Sequence, residues 1–128
     1  MTETDVNPAA AELVDRYIAT WNAADPAQRR DLIASTFAEG ALYVDPIARV
    51  EGTAAIDAMI AGVQARFPGH SFSRFGRVDA HNDRLRFQWA LAADSAEPLV
   101  IGTDVAVLSP DLRLQSVTGF FDKLPNPA

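Results

Sequence analysis

The run Leu99-Val100-Ile101-Gly102-Thr103-Asp104-Val105-Ala106-Val107-Leu108 constrains this chain more than any other stretch. Its alternating side chains form two sets, Val100, Ala106 and Leu108 in one and Leu99, Ile101, Val105 and Val107 in the other, and both are apolar. A strand of that composition is expected to be covered on both faces. Asp104 falls in its middle and is therefore expected to point into protein. A buried polar group without a partner costs about 1–3 kcal/mol and a charge costs more, so Asp104 needs either partners or a chemical task.

The 128 residues fit one domain large enough for a core and an internal cavity. We expect a single domain over 1–128, with 1–7 and 125–128 as loose tails. No apolar run approaches the ~20 residues needed to span a bilayer, and the acidic start Met1-Thr2-Glu3-Thr4-Asp5 does not read as a signal peptide. With no cysteine, disulfides and thiolate metal sites are excluded, which fits a cytoplasmic setting. The net charge of −6 without a Lys/Arg cluster argues against nucleic acid and leaves a small apolar molecule as the expected ligand.

Along the chain, Asn7-Pro8 reads as a helix cap followed by proline in the first turn. Ala10, Leu13, Val14, Tyr17, Ile18 and Trp21 then share one helical stripe. Asp25-Pro26 repeats the start signal for a shorter helix carrying Leu32, Ile33 and Phe37, ending before Gly40. Ala41 to Val44 is a brief strand closed by Asp45-Pro46, and Gly52-Thr53 opens a third helix that Pro68-Gly69 ends. The period then changes, predicting strands at about Ser71–Ala80, Arg84–Ala92, Leu99–Leu108 and Leu112–Asp122. Helices first and a meander after them indicate an α+β domain in which helices close one side of a bent, mostly antiparallel sheet.

Few side chains in this framework are suited to chemistry. Burial raises a carboxyl pKa, so an Asp in such a strand can stay neutral at pH 7 and donate to a developing oxyanion; the plainer reading of Asp104 is a carboxylate satisfied by backbone N–H groups or an Arg. Asp45, at a strand end, suits a general base, although Asp before Pro commonly builds a turn with its own side chain. Tyr17 needs a partner for its hydroxyl if buried. Trp21, Phe87 and Trp89 suit either a core or an apolar pocket wall. His70 falls where it can reach a pocket rim and His81 in an exposed hairpin tip, and neither has the spaced partners of a zinc site, so no metal is expected. A phosphate-binding glycine loop, a Gly-x-Ser-x-Gly elbow and a cysteine nucleophile are all missing.

The motifs Arg16-Tyr17-Ile18 with Trp21-Asn22-Ala23, Phe37-Ala38-Glu39-Gly40-Ala41 leading to Val44-Asp45-Pro46, Gly52-Thr53-Ala54-Ala55-Ile56, Gly102-Thr103-Asp104-Val105 and Gly119-Phe120-Phe121 run over nearly the whole chain. Together they resemble the nuclear transport factor 2-like superfamily, and within it the ketosteroid isomerases and SnoaL-like polyketide cyclases. The resemblance implies a cone-shaped fold of three N-terminal helices on a curved sheet, a hydrophobic pocket, no cofactor and a homodimer. By position, Asp45 is similar to the isomerase base, and Tyr17 and Asp104 to the pair that holds the dienolate oxygen, one of the standard cases of carboxyl pKa tuning. In the cyclases an acid/base Asp is expected at Asp104. Trp21, Phe87, Trp89, Phe120 and His70 are then the expected substrate-binding residues.

The reading that follows is cofactor-free proton transfer on a small carbonyl compound, with isomerisation and ring closure both open. Hydrolysis or dehydration, with an Asp activating water or His70 as base, is a second enzymatic reading. A non-catalytic binding or dimerisation module of the same fold is the alternative, and it requires Asp104 satisfied by its neighbours and Asp45 committed to its turn.

Overall fold

Proline and a capping side chain start the first two helices. In the computed structural model, which describes residues 7–94 and 96–125, α1 (Pro8–Asn22) begins where Asn7 accepts the Ala10 N–H at 3.2 Å. Helix α2 (Pro26–Thr36) begins where Asp25 accepts the Gln28 N–H at 2.9 Å. Gly52, at φ +90°, turns the chain into α3 (Thr53–Arg66), a backbone angle that side chains with a Cβ avoid. Of the expected loose ends, residues 1–6 and 126–128 lie outside the described residues; Asn7 is a helix cap and Pro125 lines the main cavity.

Six strands follow: β1 (Phe37–Asp45), β2 (Ala48–Glu51), β3 (His70–His81), β4 (Arg84–Ala93), β5 (Val100–Leu108) and β6 (Leu114–Lys123). They form one curved mixed sheet in the order β2-β1-β6-β5-β4-β3, in which β1 and β6 run parallel and every other pair is antiparallel. Register shifts in β1 and in β3, the latter at Gly76 with φ +87°, mark where the ladder is bent. The three helices pack on this sheet, and the fold is the expected α+β cone.

Some boundaries differ from the sequence reading for local reasons. Phe37 is extended rather than helical, so β1 starts four residues early and its ring passes beneath Tyr17. Strand β2 is short, carries Arg49 and Glu51, and lies at the sheet edge, where charge guards against unwanted pairing and gives no hydrophobic signal. Leu112 adopts φ +63° in the turn before β6, which delays that strand to Leu114.

The even set of β5, Val100, Gly102, Asp104 and Ala106, faces the helices, as do Leu85, Phe87, Trp89 and Leu91 of β4. The expectation that β5 is covered on both faces is corrected, because among the described residues no helix lies on the other side. Val105 there is 38% exposed, beside an outward-facing Phe120.

A polar clamp ties the helices together over this face. Arg29, 5% exposed, bonds the Asp57 carboxylate at 2.6 Å, the Ala23 carbonyl at 3.1 Å and the Gln64 side chain at 3.1 Å. Gln64 in turn donates to the Trp21 and Ala23 carbonyls, both at 2.9 Å, which satisfies the end of α1. Arg29→Ala strands the Asp57 carboxylate and the Gln64 side-chain oxygen and is expected to cost about 3 kcal/mol in urea denaturation. A loss below about 0.5 kcal/mol, the range of ordinary surface substitutions, would show that the clamp is dispensable.

Candidate active site

Between the helices and the sheet lies a cavity of about 230 Å³. Tyr17, Ile18 and Trp21 of α1 form one wall, Phe72, Trp89 and Leu91 another, and Tyr43 and Asp45 of β1 a third. Val63, Arg66 and Phe67 at the end of α3 reach its mouth, with Ile47, Leu124 and Pro125. The polar groups are few and specific, the usual makeup of a small-molecule site.

Asp104 is buried among them, 2% exposed. It accepts two hydrogen bonds, from the Tyr17 hydroxyl at 2.8 Å and from the Trp89 indole N–H at 3.1 Å, one on each oxygen. Tyr17 is held by edge-on or tilted contacts with Phe37, Phe87 and Trp21. Trp89 lies directly opposite Gly102 in the β4–β5 ladder, and a Cβ at residue 102 would overlap the indole ring, so glycine there lets the ring reach across to Asp104. Gly119 has the matching role on β6, since a Cβ at that position would sit 2.7 Å from an Asp104 oxygen and 3.4 Å from the Asp45 Cβ. The two carboxyl groups thus flank one glycine.

Burial pushes the Asp104 carboxyl up to about 6, the bonds from Trp89 and Tyr17 hold it back, and the nearby Asp45 charge adds to the rise. Two donors stabilise the carboxylate enough for its titration to fall just below neutrality. Burial, followed by the Asp104 charge, raises the hydroxyls of Tyr17 and Tyr43 well above the usual phenol range, so both remain proton donors.

Asp45 is half-buried and has three donors of its own. One oxygen accepts the Ile47 and Ala48 N–H groups at 2.9 and 2.8 Å, closing the Asp-Pro turn, and the other accepts the Tyr43 hydroxyl at 2.7 Å. Tyr43 was not among the expected site residues. Its position two residues before Asp45, on the same face of a strand, was the available signal.

Of the expected substrate-binding residues, Trp21 and Trp89 line the cavity. Phe87 does not, because it is buried behind Tyr17 with ring centroids 5.3 Å apart. Phe120, 56% exposed, faces outward opposite Thr103, and strand alternation puts Phe121 on the cavity instead. His70 lies in a separate depression against Phe67, with Nδ1 3.1 Å from the Pro68 carbonyl, so it does not reach the acids. Among the described residues no group of three or more His, Cys, Asp or Glu side chains is arranged to hold a metal, and no helix is long and apolar enough to cross a membrane.

Residues 14–114 match the family model of the SnoaL-like domain. The chain belongs to the SnoaL-like family. A solved structure from Agrobacterium tumefaciens, whose name proposes an isomerase of the SnoaL-like family, is 35% identical, with a TM-score of 0.86 over 91% of this chain and 99% of that one. A SnoaL-like protein from Jannaschia sp. CCS1, named for polyketide cyclase activity, shares the fold at 19% identity and a TM-score of 0.67, over 93% of this chain and 91% of its own. An epoxide hydrolase of the LEH-like type from M. tuberculosis shares it at 15% identity and a TM-score of 0.62, over 89% and 83%. No curated protein sequence matches the chain significantly.

The raised carboxyl of this SnoaL-like protein couples to its stability. Between 3.8 and about 6 the folded chain holds more protons than the unfolded one, so the contribution of Asp104 is fully present below 3.8 and is lost as the pH rises through about 6. The stability of Asp104→Asn relative to wild type is therefore expected to improve by roughly 2–3 kcal/mol across that interval, read from urea denaturation at each end. A difference that stays constant with pH would mean that Asp104 titrates like an exposed carboxyl.

Proposed function

We propose that the protein catalyses cofactor-free proton transfer on a small apolar carbonyl compound through an enolate. The observation that carries this reading is the pair of carboxyl groups in one apolar cavity, each bonded to a tyrosine, of which Asp104 is held near the proton-holding range. The environments differ: Asp104 is buried and bonded only to neutral donors, whereas Asp45 is half-buried at the strand end, so the first suits the acid and the second the base.

In this scheme Asp45 accepts the proton next to the carbonyl, and the C–H electron pair becomes the enolate double bond while the carbonyl π pair moves onto oxygen. The Tyr17 hydroxyl and the protonated form of Asp104 donate to that oxygen. Returning the proton from Asp45 to a different carbon completes an isomerisation. Attack of the enolate carbon on a second carbonyl instead forms a ring, with the new alkoxide taking up a proton. Both outcomes use the same residues. The names of related structures, an isomerase in one case and a polyketide cyclase in another, are consistent with this chemistry.

A non-catalytic small-ligand carrier is the second reading. It is favoured by the three hydrogen bonds on Asp45, which tie that carboxylate to its turn and to Tyr43.

Spectrophotometric titration of bound 4-nitrophenol, an enolate mimic that ionises near neutrality in water, separates the two. Proton transfer predicts that the wild-type site binds the phenol and lowers its ionisation pH, and that Asp104→Asn or Tyr17→Phe changes that shift. Absence of binding, or variants that ionise the phenol as the wild type does, would leave the carrier reading.

A further inference from the structure

The catalytic scheme makes no use of Arg66. This residue closes the last turn of α3, is exposed, and contributes to the lining of the main cavity. A cation at a helix C-terminus is ordinarily accounted for by the helix dipole. That explains the residue type but not its position over a cavity mouth. Nor is the guanidinium occupied. Arg29, Arg84, Arg86 and Arg113 each pair with a carboxylate, whereas Arg66 makes no hydrogen bond or ion pair with any described residue, Asp45 and Asp104 included. It is also the one cationic residue in the described lining of this cavity. The acids and the cation therefore occupy separate points of an otherwise apolar wall.

We propose that Arg66 recognises a substrate carboxylate, so that the ligand is an apolar carbonyl compound with a single carboxylate remote from the reacting carbonyl. The planar guanidinium fork matches a carboxylate and is more weakly hydrated than an ammonium, which suits a rim formed by Ile47, Phe67 and Leu124. A dianion such as a phosphate ester fits less well. It would meet one cation only, beside the negative end of α3 and in a chain of net charge −6. The apolar body of the ligand would lie between the two polar points, against Trp21, Phe72 and Trp89. This rests on the proton-transfer reading for the assignment of the carbonyl end, while the carboxylate end stands on Arg66 alone.

The test is calorimetric titration with 6-hydroxy-2-naphthoate, which carries a phenol at one end and a carboxylate at the other, against its planar neutral counterpart 6-hydroxy-2-naphthamide. Wild type is expected to bind the carboxylate about fivefold more tightly than the amide, the upper range for a solvent-accessible ion pair, with the preference shrinking as salt is added. Arg66→Ala is expected to abolish the preference, so that carboxylate and amide bind with a ratio near one, and Arg66→Lys to retain part of it. Asp104→Asn should weaken both ligands alike and leave their ratio intact. Equal affinities in wild type, or a preference that survives Arg66→Ala, would overturn the role of Arg66 and leave the proton-transfer reading standing. A preference that depends on Arg66, together with no effect of Asp104→Asn on either ligand, would do the reverse. Failure of both ligands to bind would contradict both.

Discussion

Placing a carboxyl group in the middle of an apolar strand is the constraint to which the rest of this structure responds. Asp104 is tolerable at that depth because two side chains distant in sequence, Tyr17 from the first helix and Trp89 from the neighbouring strand, each donate to one of its oxygens. Neither donor is charged. A guanidinium partner would have held the carboxyl ionised over the whole working range, whereas two neutral donors only offset part of the cost of burial and leave the group titrating at about 6. A group poised there can exchange a proton with a ligand without a large driving force in either direction.

The surrounding fold keeps those donors in place. Glycine at 102 makes room for the Trp89 ring and glycine at 119 makes room for the carboxyl itself, so two positions without side chains define where the polar atoms of the cavity converge. On the helical side, Arg29 and Gln64 bind the carbonyls at the end of α1 and so fix the helix that carries Tyr17 and Trp21. The sheet supplies the acid, the helices supply the donor above it, and the rim supplies Arg66. The cavity is therefore a product of both the sheet and the helices.

Much of this was legible in the chain. The helical stripe ending at Trp21, the apolar run around Asp104 and the Asp-Pro turn at Asp45 each follow from a local pattern, and the motifs together carried the family. What local pattern could not give was pairing across elements. Trp89 reads as a wall residue, and only the β4–β5 register, which sets it opposite Gly102, makes it a donor to Asp104. The consecutive phenylalanines at 120 and 121 are equivalent by composition, and a one-residue choice of face decides which of them meets the cavity. Phe87 shares a face with Trp89 yet lies behind Tyr17, because position along a strand, as well as face, decides what a side chain touches. The edge strand β2 escaped notice for the opposite reason, being short and polar.

The most direct measurement is a carbon-13 NMR titration of the aspartate side-chain carboxyls, with the Asp104 signal identified by its loss in Asp104→Asn. The account predicts a midpoint at about 6 in wild type and a higher one in Trp89→Phe, which removes a donor to the ionised form. A midpoint at about 4, the ordinary value for aspartate, that Trp89→Phe leaves unmoved would contradict it.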